Sequence, residues 1–148
     1  MKFTFKDFPL TPSANGLYAT VGRRRIKSKK YNEFLIRFDV WRMRNFRLLK
    51  KASDYFADNL GNNWVQVNMY ICVNRKTVFN LKGGVKSLDS SNRIKACHDA
   101  LARGIDIDDK YFAVGFTEKV ITKGKEQIII ELKLTPMRNI EELDFGIN

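Results

Sequence analysis

Between Trp64 and Val73 apolar and polar residues alternate cleanly, with Val65, Val67, Met69, Ile71 and Val73 on one side and Gln66, Asn68 and Tyr70 on the other. A period of two belongs to a strand, because successive side chains leave a pleated backbone on opposite faces. A strand with one apolar face needs partner strands beside it and a layer covering that face. The remainder of the chain is expected to supply both.

Partner strands are legible at both ends. Residues 2 to 8 set Phe3, Phe5 and Phe8 against Lys2, Thr4 and Lys6 before Pro9 and Pro12 end the pattern. Tyr111 to Ile121 and Gln127 to Leu134 read as two more strands, joined by Thr122-Lys123-Gly124-Lys125 as a hairpin turn. Cover comes from helices. Ser28 is a suitable N-cap for a helix that carries Tyr31, Phe34, Leu35, Phe38 and Trp41, and later Phe46 and Leu49, at helical spacing. This aromatic stripe reads as core or dimer interface. The helical pattern breaks near Lys51 to Asp54, resumes through Tyr55-Phe56-Ala57 and stops at Gly61, which leaves one bent helix or two. A second helix follows Asp89-Ser90-Ser91, with Ile94, Cys97 and Leu101 on its packing side and Asp89, Asn92, Lys95 and Asp99 on its polar side. The expected fold is α+β: a single domain over residues 1–135, a mixed sheet of about four strands packed against two main helices, and a weakly patterned tail over 136–148.

With 148 residues, 44% of them hydrophobic, the chain can bury a core without covalent staples. Cys72 and Cys97 fall in a strand and on a helix's apolar side, so they read as reduced core residues of a cytoplasmic protein. No apolar run is long enough to span a membrane and no leader pattern opens the chain, so no membrane partner is expected. A formal charge of +11 points to a polyanion, since Lys and Arg that neutralise phosphates release condensed counterions.

Acidic residues in so basic a chain collect at the two ends of the second helix: Asp89 before it, then Asp106, Asp108 and Asp109 after it. Like charges this close raise one another's pKa unless a positive centre compensates. The chain holds no Ser/His/Asp arrangement and no Walker loop, so acyl transfer and a nucleotide cofactor lack a motif. The lone His98 shares a helical side with Ile94 and Leu101 and reads as packed. Thr11 to Lys27 is rich in Gly, Pro, Ser and Asn and ends in Arg23-Arg24-Arg25-Ile26-Lys27, a loop with a cationic tip suited to phosphate. Metal-assisted phosphodiester hydrolysis is the chemistry these features accommodate.

Two blocks in order, Pro12-Ser13-Ala14-Asn15-Gly16-Leu17-Tyr18 with Arg23 to Arg25 and Ser28, and Asp89-x-x-Asn92-x-x-Lys95-x-x-x-Asp99-x-Leu101 with Asp108-Asp109, resemble the RusA-type Holliday junction resolvases of bacteria and their phages. The resemblance implies a homodimeric, magnesium-dependent endonuclease that resolves four-way DNA junctions by symmetric cuts, in recombination and repair. It implies that Asp89 and Asp109 bind Mg²⁺, that Lys95 is the catalytic lysine, and that Asn15, Arg23, Arg24, Arg25, Lys27, Lys29 and Asn92 face the nucleic acid. One position departs from the family pattern: Ser91 stands where a second carboxylate is usual, directly before the Asn. Magnesium takes only one or two protein carboxylates, so Asp89 and Asp109 suffice for one ion, with Ser91 and Asp108 as further oxygen donors. The alternative is a non-catalytic or weakly catalytic structure-selective DNA-binding protein. An RNA-binding module using the basic loop is a third.

Overall fold

The computed structural model describes residues 1–12, 18–85 and 91–146, and of Ser91 and Asn92 the backbone alone. Along the chain run β1 (Lys2–Phe8), β2 (Tyr18–Val21), β3 (Arg24–Lys27), α1 (Lys29–Arg44), α2 (Phe46–Asn59), β4 (Asn63–Asn74), the single turn α3 (Arg75–Val78), α4 (Ser91–Ile105), β5 (Phe112–Thr122) and β6 (Gln127–Pro136), with 3-10 turns at Asp109–Tyr111 and Ile140–Glu142. The alternating stretch is β4, and it lies inside a four-stranded sheet ordered β1-β6-β4-β5. The sheet is mixed: β4 runs parallel to β5 and antiparallel to β6, and β6 is antiparallel to β1. The fold class is α+β in one domain, as the patterning implies.

Among the described residues three helices of more than one turn build the helical layer, so the region after Ser28 is two helices and not one bent helix. α1 starts at Ser28, whose Oγ accepts from the Tyr31 N–H, satisfying one of the donors a helix start leaves open. The break comes at Asn45, earlier than the Lys51 to Asp54 stretch. There the Asn45 amide Nδ2 donates to the Trp41 carbonyl at 2.9 Å alongside the backbone bond, and α2 starts at the next residue. Phe46 consequently leaves the aromatic stripe and is 63% exposed. Gly61, at φ +45, follows the end of α2 as expected of a helix stop.

The aromatic stripe is core. Tyr31, Phe34, Phe38 and Trp41 are buried, and the last three meet Phe5 or Phe8 of β1, with the Phe8 and Trp41 rings at 4.9 Å. Val65, Val67, Met69, Ile71 and Val73 join the same cluster from β4, as do Ala96, Cys97, Ala100 and Leu101 from α4. Cys72 and Cys97 are both buried and unbridged. Burial drives the Cys97 thiol far above its ordinary pKa, which fits a packing role.

Two further expectations are corrected. β5 and β6 are consecutive but do not pair, because β4 sits between them and uses both of its edges. The turn residues specify a reversal of direction, and four linking residues are long enough to step across one strand, about 10 Å. Pairing is decided instead by β4, whose apolar residues need a neighbour on either side. The stretch from Thr11 to Lys27 is not a loop throughout: Tyr18 to Lys27 forms the antiparallel hairpin β2–β3, reversed at Gly22 with φ +61. Its strand residues are all exposed, so there was no buried period to read. Beyond β6, the Met137 N–H bonds the Asn62 carbonyl, and Asn139 and Glu142 form a reciprocal capping box. Among the described residues no helix is long and apolar enough to cross a membrane.

Candidate functional site

α4 turns its small and apolar residues into the core, which leaves Lys95, Asp99 and Arg103 on the outer side at helical spacing. Lys95 Nζ lies 3.4 Å from Asp99 Oδ2, one turn along. The pair is half-open to solvent, and its net contribution to stability is small. It places the ammonium over the outer side of α4, beside Asp99.

The cationic hairpin is brought to this side by Tyr31 at the start of α1. Tyr18 of β2 packs edge-on against Tyr31, with ring centroids 5.9 Å apart. Arg25 and Lys27 of β3 lie over these two rings, the guanidinium 4.3 Å from the Tyr18 centroid and the ammonium 5.5 Å from that of Tyr31. Burial raises the Tyr31 hydroxyl pKa, reinforced by Tyr18 and Asp99 and opposed by Arg103 and Lys95. Tyr31 therefore stands within electrostatic reach of the hairpin and of three α4 side chains together. The aromatic pedestals hold the two cations without neutralising them.

A second tie joins the segments that carry the two sequence blocks. Thr11, fully buried, donates through Oγ1 to the Arg93 carbonyl at 3.1 Å, and Arg93 Nη1 donates back to the Thr11 carbonyl. Burial holds the Arg93 guanidinium below its ordinary pKa, with Glu126 opposing the shift. The start of α4 and the end of the N-terminal strand region are thus fastened side by side.

The acidic turn after α4 is anchored by its own backbone. Asp108 Oδ1 accepts from the Lys110 N–H at 3.0 Å and Oδ2 lies 3.6 Å from Lys110 Nζ. The hydrogen bond from the Lys110 N–H, aided by the Lys110 ammonium and a bond with Asp109, holds the Asp108 carboxyl below the usual range. Asp109 opens the 3-10 turn. His98 packs edge-on against Phe112 at 5.4 Å, as its apolar side implied. Burial depresses the His98 pKa, while Asp109 and Asp99 act the other way. His98 thus feels the charge of both Asp99, the partner of Lys95 one turn along α4, and Asp109 of the turn that follows the helix.

Of the residues singled out by sequence, Arg23, Arg24, Arg25, Lys27, Lys95, Asp108 and Asp109 are in described segments. Lys29 is exposed and lies 3.9 Å from Glu33. Asp89 and Asn15 lie outside the described residues, as do the side chains of Ser91 and Asn92. Among the described residues no three His, Cys, Asp or Glu side chains cluster as a metal site. Asp108 and Asp109 are adjacent hard-oxygen donors, which suits magnesium's preference for one or two carboxylates and water. Tyr31 and Arg93 were missed as site residues. Tyr31 reads as part of the aromatic stripe and Arg93 carries no distinguishing pattern, and only the tertiary contacts reveal that they bridge segments far apart in sequence.

No family model matches the chain, and no curated protein matches it. Among solved structures it is similar to a 2C-methyl-D-erythritol 2,4-cyclodiphosphate synthase from Plasmodium vivax at 8% identity and a TM-score of 0.28, over 93% of this chain and 97% of the other.

Proposed function

We propose that the chain is a magnesium-dependent, structure-selective endodeoxyribonuclease that resolves four-way DNA junctions by symmetric phosphodiester hydrolysis, acting as a homodimer in recombination and repair. One juxtaposition supports this above all: the hairpin cations and the Lys95–Asp99 face of α4 converge around Tyr31. Phosphate-holding charge and the candidate catalytic lysine then serve one stretch of backbone.

In this reading Arg23, Arg24, Arg25 and Lys27 grip the strand through its phosphates, which sets position without reading sequence. Asp89 and Asp109 are the residues that would hold Mg²⁺, with Ser91 and Asp108 nearby in sequence as oxygen donors. Bound there, the ion supplies Lewis-acid polarisation of a phosphoryl oxygen and a water of lowered pKa. Lys95, beside Asp99, offsets negative charge as it develops on the scissile phosphate. A two-fold dimer presents two such sites to the two equivalent strands of a junction.

A binding protein that does not cut is the second reading, and two observations favour it: Ser91 opens α4 where a carboxylate is usual, and Asp108 is already engaged by Lys110. Incubating the protein with a labelled four-way junction, a duplex, a single strand and a folded RNA, in magnesium or chelator, separates these. Symmetric nicks near the branch that need magnesium are the expected result. A junction bound but left intact in magnesium overturns the nuclease, and preference for the RNA overturns both DNA readings.

A further inference from the structure

The chain between β4 and α4 makes an excursion that the proposed chemistry does not use. From Arg75 to Val85 it carries Arg75, Lys76 and Lys82 and no carboxylate. It is not a slack loop. α3 opens it, with Val78 packed against the core, and a bridge between Phe79 and Val85 closes it. Inside that bridge the Asn80 and Gly84 backbones bond at 2.8 Å, and Asn80 Oδ1 accepts from the N–H groups of Lys82 and Gly84 at 3.0 and 2.8 Å. Gly83 takes φ +81, and a Cβ on Gly84 would meet the Asn80 amide at 2.8 Å. The turn is therefore built around one asparagine side chain and two glycines.

What this turn presents is Leu81, whose side chain is wholly exposed. A single exposed leucine is ordinary on a protein surface. An apolar side chain at the tip of a pre-shaped turn, in a segment with only positive charge, is a more particular arrangement. Beside it lies an open hollow of about 1050 Å³, lined by Arg75, Lys76, Phe79 and Lys82 among others. The Arg75 guanidinium covers the Phe79 ring at 4.7 Å, which steadies the base of the turn and keeps the charge available. The net positive charge selects a polyanion, and the apolar tip selects one with a gap between stacked aromatic surfaces.

We propose that the Asn80–Gly84 turn is a branch-reading wedge, in which Leu81 enters the unstacked space at the centre of a DNA four-way junction while Arg75 and Lys82 hold the flanking phosphates. Apolar side chains inserted between base steps are an established way of exploiting deformable DNA, and a branch point has already lost the stacking that insertion must break. The wedge accounts for selectivity by shape, which phosphate contacts alone do not supply. It rests on the junction reading above.

The test uses the full chain, a synthetic four-way junction with 2-aminopurine at the branch, the matching duplex, and calcium in place of magnesium so that the DNA stays intact. The wild-type protein is expected to prefer the junction and to raise the fluorescence as the branch unstacks. Leu81→Ser is expected to lower junction affinity about tenfold, to leave duplex affinity within about twofold and to remove the fluorescence rise, whereas Leu81→Phe keeps it. If wild type discriminates and Leu81→Ser still does so with full fluorescence, the wedge is overturned and the junction reading stands. If wild type does not prefer the junction, both fall. Vesicles rich in phosphatidylserine form a last arm: loss of vesicle binding by Leu81→Ser, with junction binding unchanged, overturns the wedge in favour of a lipid surface.

Discussion

The two edge strands of the sheet, β1 and β5, carry the same irregularity and build it by opposite means. In β1, Lys6 and Asp7 stand opposite Ile129, between the pairs Phe5–Ile130 and Phe8–Ile128. In β5, Gly115 and Phe116 stand opposite Asn68, between Val67–Val114 and Met69–Thr117. Each is a bulge, two residues against one, which bends an edge and shifts the alternation by one step. Asp7 makes its bulge by conformation, at φ +57. The freed groups are recovered by side chains: Trp41 Nε1 donates to the Lys6 carbonyl at 2.8 Å, and the Asp7 N–H donates to Oε1 of Gln127, at the start of β6, at 2.7 Å. Gly115 has no left-handed φ. It is needed for room. A Cβ there would stand 1.8 Å from Asn68 Oδ1 and 2.4 Å from Gln66 Nε2. Asn68 is 2% exposed, and its Oδ1 accepts from both Gln66 Nε2 and the Phe116 N–H. One bulge is a backbone shape with a flexible choice of side chain, and the other is a buried amide pressed against a bare Cα.

The sharpest way to break this contrast is Gly115→Ala. The added methyl meets a buried oxygen that holds two hydrogen bonds, so it cannot be accommodated by a rotamer change alone, and the expected loss is about 3 kcal/mol in a urea titration. Asn68→Ala alone should also destabilise, because it leaves the Phe116 N–H without its acceptor, by about 1–2 kcal/mol. Combined, the two should cost less than their sum by about 1 kcal/mol or more, since removing the amide frees the space that the methyl takes. An unchanged unfolding midpoint for Gly115→Ala would show that close approach is not what shapes the β5 edge.

At the β1 edge the corresponding support is Trp41, and a conservative change isolates its hydrogen bond. Trp41→Phe keeps an aromatic ring beside Phe5 and Phe8 but removes the donor to the Lys6 carbonyl. Because the accepting residue is itself exposed, water can replace part of what is lost. The expected destabilisation is about 1–2 kcal/mol from the missing bond and the smaller ring. A loss as large as that at Gly115 would mean the β1 bulge depends on its bracing as strictly as the β5 bulge depends on space.

How far the sequence could be read follows the same division. Phe3, Phe5 and Phe8 announce β1, and the odd three-residue step to Phe8 is the trace of its bulge, visible because large apolar side chains mark which face is buried. β4 and the packing side of α4 were legible for the same reason. Gly115 left no such trace, since the need for a missing Cβ depends on Asn68 arriving from a strand 47 positions earlier in the numbering. The order of strands was hidden likewise, because a turn sequence fixes a local reversal and says nothing about a third strand inserted between its arms. In the candidate site, the cationic tip and the acidic clusters at the ends of α4 stand out by charge, and the roles expected of Asp89, Lys95 and Asp109 come from the family resemblance. The meeting of the hairpin and α4 at Tyr31, and the Thr11–Arg93 tie, are long-range contacts made by residues whose local pattern is ordinary.

The smallest effect is expected at Asp7, and its sign is what matters. A left-handed φ costs an L-residue about 1–2 kcal/mol, less for aspartate than for most and most for a β-branched side chain. Asp7→Gly removes that cost but adds freedom to the unfolded chain, so it should leave stability within about 0.5 kcal/mol of wild type or slightly above it. Asp7→Asn should be neutral, and Asp7→Val should lose about 1 kcal/mol by thermal or urea unfolding. At position 115 the same reasoning gives no rescue by Asn, because tolerance of a left-handed φ does not supply space. A position where Gly, Asn and Asp are interchangeable and Val is penalised is governed by φ, and one where every side chain is penalised is governed by contact. If Asp7→Gly were strongly destabilising, the exposed Asp7 side chain would have to be holding the bulge itself, and the two edges would be built alike.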